Sequence, residues 1–287
     1  MDIKDLVILK SVAKHQSISK ASEELNYVQS NITRSINKLE DELGTRLFIR
    51  HGRGVTITNN GQTLLSYANQ IINLMEESKR VITNGTEVAG PLRIGATDIT
   101  ISIRLPEVIS LFSEAYPKVD LFLNTGYTTD LVQSVLKYEL DGAFVTDPVD
   151  HKNIESLPLI DEKIMLIYKR DKNFSDFQNL NDEKLLVFGK GCTYRKKTEK
   201  YLEDTGITPN KKIEFNSFEG LVGCVKAGLG VGVVSKKIVE IIDTSLIDYI
   251  ELPKEYSMIK TVFIKRNDSA DFKALTSFLN IAKKLFH

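Results

Sequence analysis

The chain has 287 residues, a formal net charge of zero at pH 7, and 42% hydrophobic against 26% charged residues. These are the proportions of an ordinary globular protein with room for two or three domains. No stretch approaches the ~20 apolar residues of a membrane span, and the run Leu6 to Leu9 is too short for a secretory signal. Cys192 and Cys224 are the only cysteines, which argues for a reducing, cytoplasmic compartment without a disulfide framework.

The first ~58 residues read as three short helices and a hairpin. Ile3, Leu6, Leu9 and Val12 or Ala13 trace the inner face of the first helix. "SISKASEEL" begins the second, with Ser17 or Ser19 available as its cap and Ala21 and Leu25 facing inward. After a break at Asn26–Tyr27, "SNITRSINKLEDEL" forms the third, where Ile32, Ile36 and Leu39 recur at four and three residues. Gly44 ends it, and "RLFIRHGRGVTIT" gives two short apolar runs around a tight turn.

From Asn59 to about Asn84 there is no proline, and Leu64, Ala68, Ile71, Met75, Ser78 and Ile82 step by four and three. That is a heptad seam on a helix too long and one-sided for a small domain to bury, so a second copy of the chain is expected against it. "NGTEVAGP" follows as a linker, giving boundaries of 1–58, 59–90 and 91–287.

Beyond Pro91 the texture is α/β. "LRIGAT", "DLFLNTG" and "GAFVT" read as strands with helices over 104–116 and 129–139, the alternation of a largely parallel sheet. "EKIMLIYKR", "LLVFGKG", "KIEFNSF" and "GVGVVSK" repeat the pattern before "MIKTVFIKR" and a final helix. Two such halves, 91–161 with 267–287 and 162–266, crossing near 162 and 266, leave a cleft suited to a small molecule.

A helix, a break, and a helix with small polar and basic residues outward form a helix-turn-helix pattern whose second helix can enter the major groove. Gln29 can bond adenine bidentately, and Arg34 can pair with guanine or a phosphate. Ser30, Asn31 and Thr33 are short enough for close approach, and Asn37, Lys38 and Ser19 extend the same polar surface. Arg50, Arg53 and Thr56 on the hairpin suit flanking phosphates. Residues 28–58 carry five basic against three acidic side chains, a local excess in an otherwise neutral chain.

These motifs together resemble the LysR-type transcriptional regulators. "ISKASEELNYVQSNITRSINKLEDELGTRLFIRHGRGVTITNNGQTLL" is similar to their DNA-binding signature, and "PLRIGAT", "LPEVISLFSEAYPKVDL" and "VKAGLGVGVV" fall at the family's positions. Val28 stands where the family usually has Ser or Thr, and Ser30-Asn31 where it often has Pro-Ala, which leaves Asn26 as a substitute cap. The resemblance implies an α+β multidomain protein: a winged helix-turn-helix, a linker helix, and a bilobed α/β effector domain of the periplasmic-binding-protein type. Its implied partners are double-stranded operator DNA, a small effector, further copies in a homodimer or homotetramer, and RNA polymerase; no cofactor, metal or membrane is implied.

The effector positions implied by that resemblance are Thr97, Asp98 and Thr100, then Thr128 and Thr129, then Thr146 with Asp147. The second half adds Cys192, Thr193 and Arg195, with Phe218 opposite. Hydroxyls plus one arginine favour a polar or anionic ligand. Cys192, at a helix start beside Arg195, Lys196 and Lys197, is expected to have a lowered pKa, which opens redox sensing as an alternative; Cys224 reads as buried and inert.

An enzyme reading finds no support. His15, His51, His151 and His287 are scattered, and "GLGVG" at 228–232 precedes a strand, whereas a dinucleotide fingerprint follows one. A solute-binding protein would explain the bilobed half but not the N-terminal helices.

Overall fold

A computed structural model describes residues 1–52, 54–82, 88–172 and 177–286. Its contacts divide the chain into Met1–Asn84 with Lys137–Glu139, and Gly85–Leu136 with Leu140–His287.

In the first unit, α1 spans Ile3–His15, α2 Ile18–Leu25 and α3 Gln29–Leu43. Asp2 and Asp5 form a reciprocal capping box at the start of α1, and Ser17, rather than Ser19, caps α2. Leu6, Leu9, Val12, Ala21, Ile32, Ile36 and Leu39 meet in one core, as their spacing predicts. Ile3, expected on that inner face, is 40% exposed at the first position of α1.

The wing pairs β1 (Phe48–His51) with β2 (Gly54–Ile57) from Phe48↔Ile57 to His51↔Gly54. Gly54 has φ +143° and comes so close to the turn after α1 that a Cβ there would lie 2.5 Å from the Gln16 carbonyl oxygen. Val55 N–H donates to that same oxygen at 3.0 Å, fixing the wing beside the helices.

Helix α4, Asn59–Ile82, supplies Ala68 and Ile72, with Leu64 and Leu65, to the core of this unit. The expected heptad seam is therefore corrected in part: Leu64 and Ala68 face the chain's own helices, and Met75 is half-buried. The exposed apolar stripe is instead Tyr67, Ile71, Leu74 and Ile82, with exposed Ser78 in line. Residues 83–87 of the expected linker lie outside the described residues.

In the second unit the first lobe joins β3 (Gly90–Ala96), β4 (Val119–Thr125) and β5 (Gly142–Thr146) as parallel strands in the order β4-β3-β5. The five residues of β5 are all buried, as expected of a central strand covered on both faces. A π-turn at Thr100–Arg104 leads into α5 (Leu105–Ala115), and α6 (Thr128–Leu136) follows β4.

The strand β6, Ile154–Lys169, runs through both lobes. In the second lobe it pairs antiparallel with β9 (Val231–Ser235), which is parallel to β7 (Lys184–Phe188), itself parallel to β8 (Lys211–Phe215). Helix α7 (Thr193–Thr205) links β7 to β8, and α8 (Phe218–Lys226) links β8 to β9. Helix α9 (Lys236–Ile241) precedes β10 (Ile247–Glu251), a strand absent from the sequence reading that pairs with the far half of β6.

After the short α10 (Lys254–Ser257), β11 (Met258–Arg266) returns antiparallel between β5 and β6. The return to the first lobe thus comes at the start of this strand, earlier than the expected position near 266. The sheet is also mixed rather than largely parallel, because β6 and β11 run against their neighbours. The final helix α11 (Lys273–Phe286) seals the first lobe, with Phe278 edge-on to Phe112 at 5.0 Å between ring centroids.

Candidate functional site

On α3, Gln29, Ser30, Asn31, Arg34, Asn37 and Lys38 are exposed, and Thr33 is half-buried. The helix starts without a side-chain cap: Val28 occupies the N-cap position, and its carbonyl oxygen accepts from Asn31 N–H at 2.9 Å. Asn26 is not the substitute cap; it sits in the left-handed region at φ 53° and ends α2. Tyr27 and Val28 are 42% and 63% exposed just ahead of the polar residues, an apolar patch absent from the sequence reading.

Arg34 has no hydrogen-bond or ion-pair partner among the described residues, so its guanidinium is free. Lys38 is different. Its ammonium donates to Asp2 at 2.9 Å and to Asp5 at 2.7 Å, clamping α3 to the start of α1. Those carboxylates raise the Lys38 pKa, and the Lys38 bond in turn holds Asp2 down at about 2. Lys38 thus has an internal role in addition to its expected place on the exposed face of α3.

Arg50 donates to Asn37 Oδ1 at 2.7 Å, which ties the wing to α3 while leaving the cation's charge unopposed. Thr56 Oγ1 lies 3.0 Å from His51 Nε2. Exposed Ser19 lines one hollow with Arg50, beside Ser17 and Gly54. Arg53 lies outside the described residues.

The second feature is a cavity of about 260 Å³ where the strand ends and helix starts of the bilobed unit converge. Thr97, Asp98, Thr128, Thr146, Cys192 and Thr193 all line it, so six of the residues expected at an effector site are brought together. Thr125, Tyr127, Asp130, Phe188, Tyr194 and Asn216 line it as well and were missed. Of these, Tyr127 was the most legible, since it directly precedes Thr128 in the same glycine turn.

Several hydrogen bonds cross between the lobes at this point. Thr193 Oγ1 donates to the Thr146 carbonyl at 3.2 Å, and Tyr127 Oη accepts from Gly189 N–H at 3.1 Å and donates to Asn216 Oδ1 at 3.3 Å. The Tyr127 ring lies so close to β7 that a Cβ on Gly189 would come within 2.5 Å of its oxygen.

Five expected residues are placed elsewhere, among them Asp147, which lines a neighbouring hollow and pairs with Lys197 at 3.3 Å. Thr100 is buried, and its hydroxyl meets that of Thr97 at 2.8 Å, orienting it from behind. Thr129 lines a neighbouring hollow with Lys190, Lys196 and Lys200. Phe218 is packed into the second lobe's core. Arg195 turns away to Glu199 at 3.1 Å, Glu214 at 2.6 Å and the Phe188 carbonyl at 3.0 Å, so it braces α7 against β8 and offers no cation to the cavity. The i,i+4 spacing of Arg195 and Glu199 was the available signal.

Cys192 is also corrected. Burial pushes its thiol pKa up, outweighing the backbone N–H groups of Arg195 and Tyr194 that favour the thiolate. The premise for redox sensing is thereby lost. Asp98 is shifted up too, by burial and then by nearby Glu219, against a hydrogen bond from Phe218 N–H. Its Oδ2 is buried without a partner.

Comparison with known proteins gives a consistent result over both units. Residues 3–62 match the model for bacterial regulatory helix-turn-helix proteins of the lysR family, and residues 85–286 match the LysR substrate binding domain. The HTH-type transcriptional regulator GltR of Bacillus subtilis is 38% identical over 281 residues, covering 97% of this chain and 95% of that protein. The HTH-type transcriptional regulator SoxR of an Arthrobacter species is 41% identical over 284 residues, covering 99% and 97%. The crystal structure of full-length CbnR with its target DNA matches with a TM-score of 0.72 at 20% identity, covering 99% of each chain, a likeness of fold.

Proposed function

Because the chain belongs to the LysR family of DNA-binding transcriptional regulators, we propose that a small molecule in the cavity lined by Thr97, Thr128, Thr146 and Thr193 sets its activity at a promoter. The observation that carries this reading is the convergence of six expected residues from both lobes on one cavity. A ligand touching both lobes stabilises one closure over another, and a difference of ~1–3 kcal/mol in its binding to the two states is enough to couple the sites. None of the described helices is long and apolar enough to cross a membrane, and the proposed setting is the cytoplasm, with RNA polymerase as the promoter partner.

At the operator, Gln29 and Arg34 read bases from α3, while Ser30, Asn31 and Thr33 allow close approach and Arg50 holds a phosphate. Exposed Val28 suits apolar contact with a thymine methyl group. Gln29→Ala and Arg34→Ala should each cost ~1–3 kcal/mol on the operator and little on random DNA. Arg50→Ala should weaken both DNAs alike and reduce the salt slope by about one unit. Titrations on both DNAs at several salt concentrations measure this, and equal losses from Arg34→Ala would reassign it to the backbone.

Genome-wide mapping of bound sites tests the whole reading. Occupied promoters next to genes for one metabolic route, with occupancy or transcription changing when a small metabolite of that route is supplied, is the expected result. A purified protein that binds that metabolite unchanged after the cavity is filled by Asn216→Trp would place the effector elsewhere.

A further inference from the structure

The cleft of this chain has a one-sided electrostatic character. Among the described residues lining the cavity there is no lysine, arginine or histidine, but there are two carboxylates, Asp98 and Asp130. The one arginine expected to supply a positive charge is held by Glu199 and Glu214 outside it. Lys190, Lys196, Lys197 and Lys200 belong to the neighbouring hollow, and Lys197 already faces Asp147 at 3.3 Å.

Resting on the reading of this cavity as the effector site, we propose that the effector carries an ammonium group recognised by Asp98 and Asp130. Asp98 receives only the Phe218 N–H, while its other oxygen is buried and unpartnered. That oxygen is sealed in the wall, so an ammonium meets Asp98 from the cavity side, bringing both donors and the opposite charge. An anionic ligand would instead add a third negative charge to two already present. The rings of Tyr127, Phe188 and Tyr194 line the same space and present surfaces compatible with a cation.

The starts of α6 and α7 also reach the cavity, through Thr128 and through Cys192 and Thr193. Their N–H groups and hydroxyls suit a carboxylate on the same ligand. Small zwitterions of the amino-acid type therefore combine both halves of the recognition.

Calorimetry on the full-length protein tests this with matched probes. The panel is the common L-amino acids with small primary amines, each set beside the acid that lacks the amine, such as leucine, isoamylamine and isocaproate. The expected result is an amine-bearing binder whose matched acid does not bind, with affinity falling roughly 10- to 100-fold in Asp98→Asn, the worth of one charge-assisted bond. Asn216→Trp, which obstructs the cavity, should remove the binding as well.

A binder lost in Asn216→Trp but matched by its acid and indifferent to Asp98→Asn overturns the ammonium while leaving the cleft as effector site. Binding that survives Asn216→Trp breaks the cleft reading itself. A panel in which no amine binds also overturns the proposal.

Discussion

Ile71→Asp should dissociate the regulator and remove operator binding. Helix α4 has 24 residues, about 36 Å at 1.5 Å per residue, and the chain itself uses its near face through Leu64, Leu65, Ala68 and Ile72 and through Asn73, which donates to the Tyr138 carbonyl. The other face leaves Tyr67 60%, Ile71 41%, Leu74 51% and Ile82 83% exposed, spaced closely enough to form one stripe. Such a stripe, at coiled-coil spacing on a helix joined to a DNA-reading unit, is the surface proposed to pair with a second copy. An aspartate at its centre would place an uncompensated charge in an apolar interface, at a cost of several kcal/mol. Because each half-site is held by one copy, losing the link removes the effective concentration that joins them, and operator affinity should fall by ~100-fold or more. Sedimentation velocity at micromolar concentration should show the monomer, with circular dichroism unchanged. Leu74→Asp should behave alike. A dimer that binds operator normally in both variants would rule the stripe out as the interface.

Placing this stripe shows where sequence reading reaches its limit. The four-and-three periodicity identified the helix, yet Leu64, Ala68, Ile71, Met75, Ser78 and Ile82 mix two faces of use. A heptad pattern says which residues share a side; it does not say whether that side meets the chain's own α1 or another molecule. The same distinction explains the cleft. Strand ends followed by threonines, read through the family resemblance, led to Thr97, Thr128, Thr146 and Thr193, which line the cavity, but also to Thr100 and Thr129, which do not.

Arg195 failed for the opposite reason. Its backbone is three residues past the Cys192 N-cap, but its long side chain reaches around α7 to Glu199, one turn on, and to Glu214 on β8. Which carboxylates flank β8 depends on strand order, which the local sequence does not carry. The clamp made by Lys38 was hidden likewise: its partners Asp2 and Asp5 are 36 and 33 positions away and meet it only when α1 packs on α3. Long cations report local sequence poorly because their heads lie far from their backbones. With Arg195 outside the cavity, the arginine that supported a polar or anionic ligand is gone, which is where the proposed ammonium-bearing ligand departs from the sequence expectation.

Glu40→Ala should cost ~3–5 kcal/mol and unfold much of the DNA-binding unit. By sequence Glu40 belongs to the acidic triplet at the far end of α3, but its side chain is only 5% exposed and works inside the fold. One oxygen accepts from Leu47 N–H at 2.8 Å and Phe48 N–H at 3.1 Å, and the other from Arg46 at 2.7 Å. It thus caps the chain where it leaves α3 and enters β1, so truncation strands two buried N–H groups, while Arg46, 77% exposed, stays hydrated. Burial raises its pKa, but the bonds from Arg46, Leu47 and Phe48 outweigh this, so the folded-state pKa lies below the usual 4.5. A carboxylate depressed in this way adds stability that is fully present above the unfolded-state pKa and is lost as pH falls through the folded one. Wild type should therefore lose stability below about pH 4.5, whereas the part of that loss due to Glu40 should vanish in Glu40→Gln. Hydrogen exchange at Leu47 and Phe48 in the full chain reads the effect directly. Unchanged protection of those two amides in Glu40→Ala would show that the wing is held by its hydrophobic contacts alone.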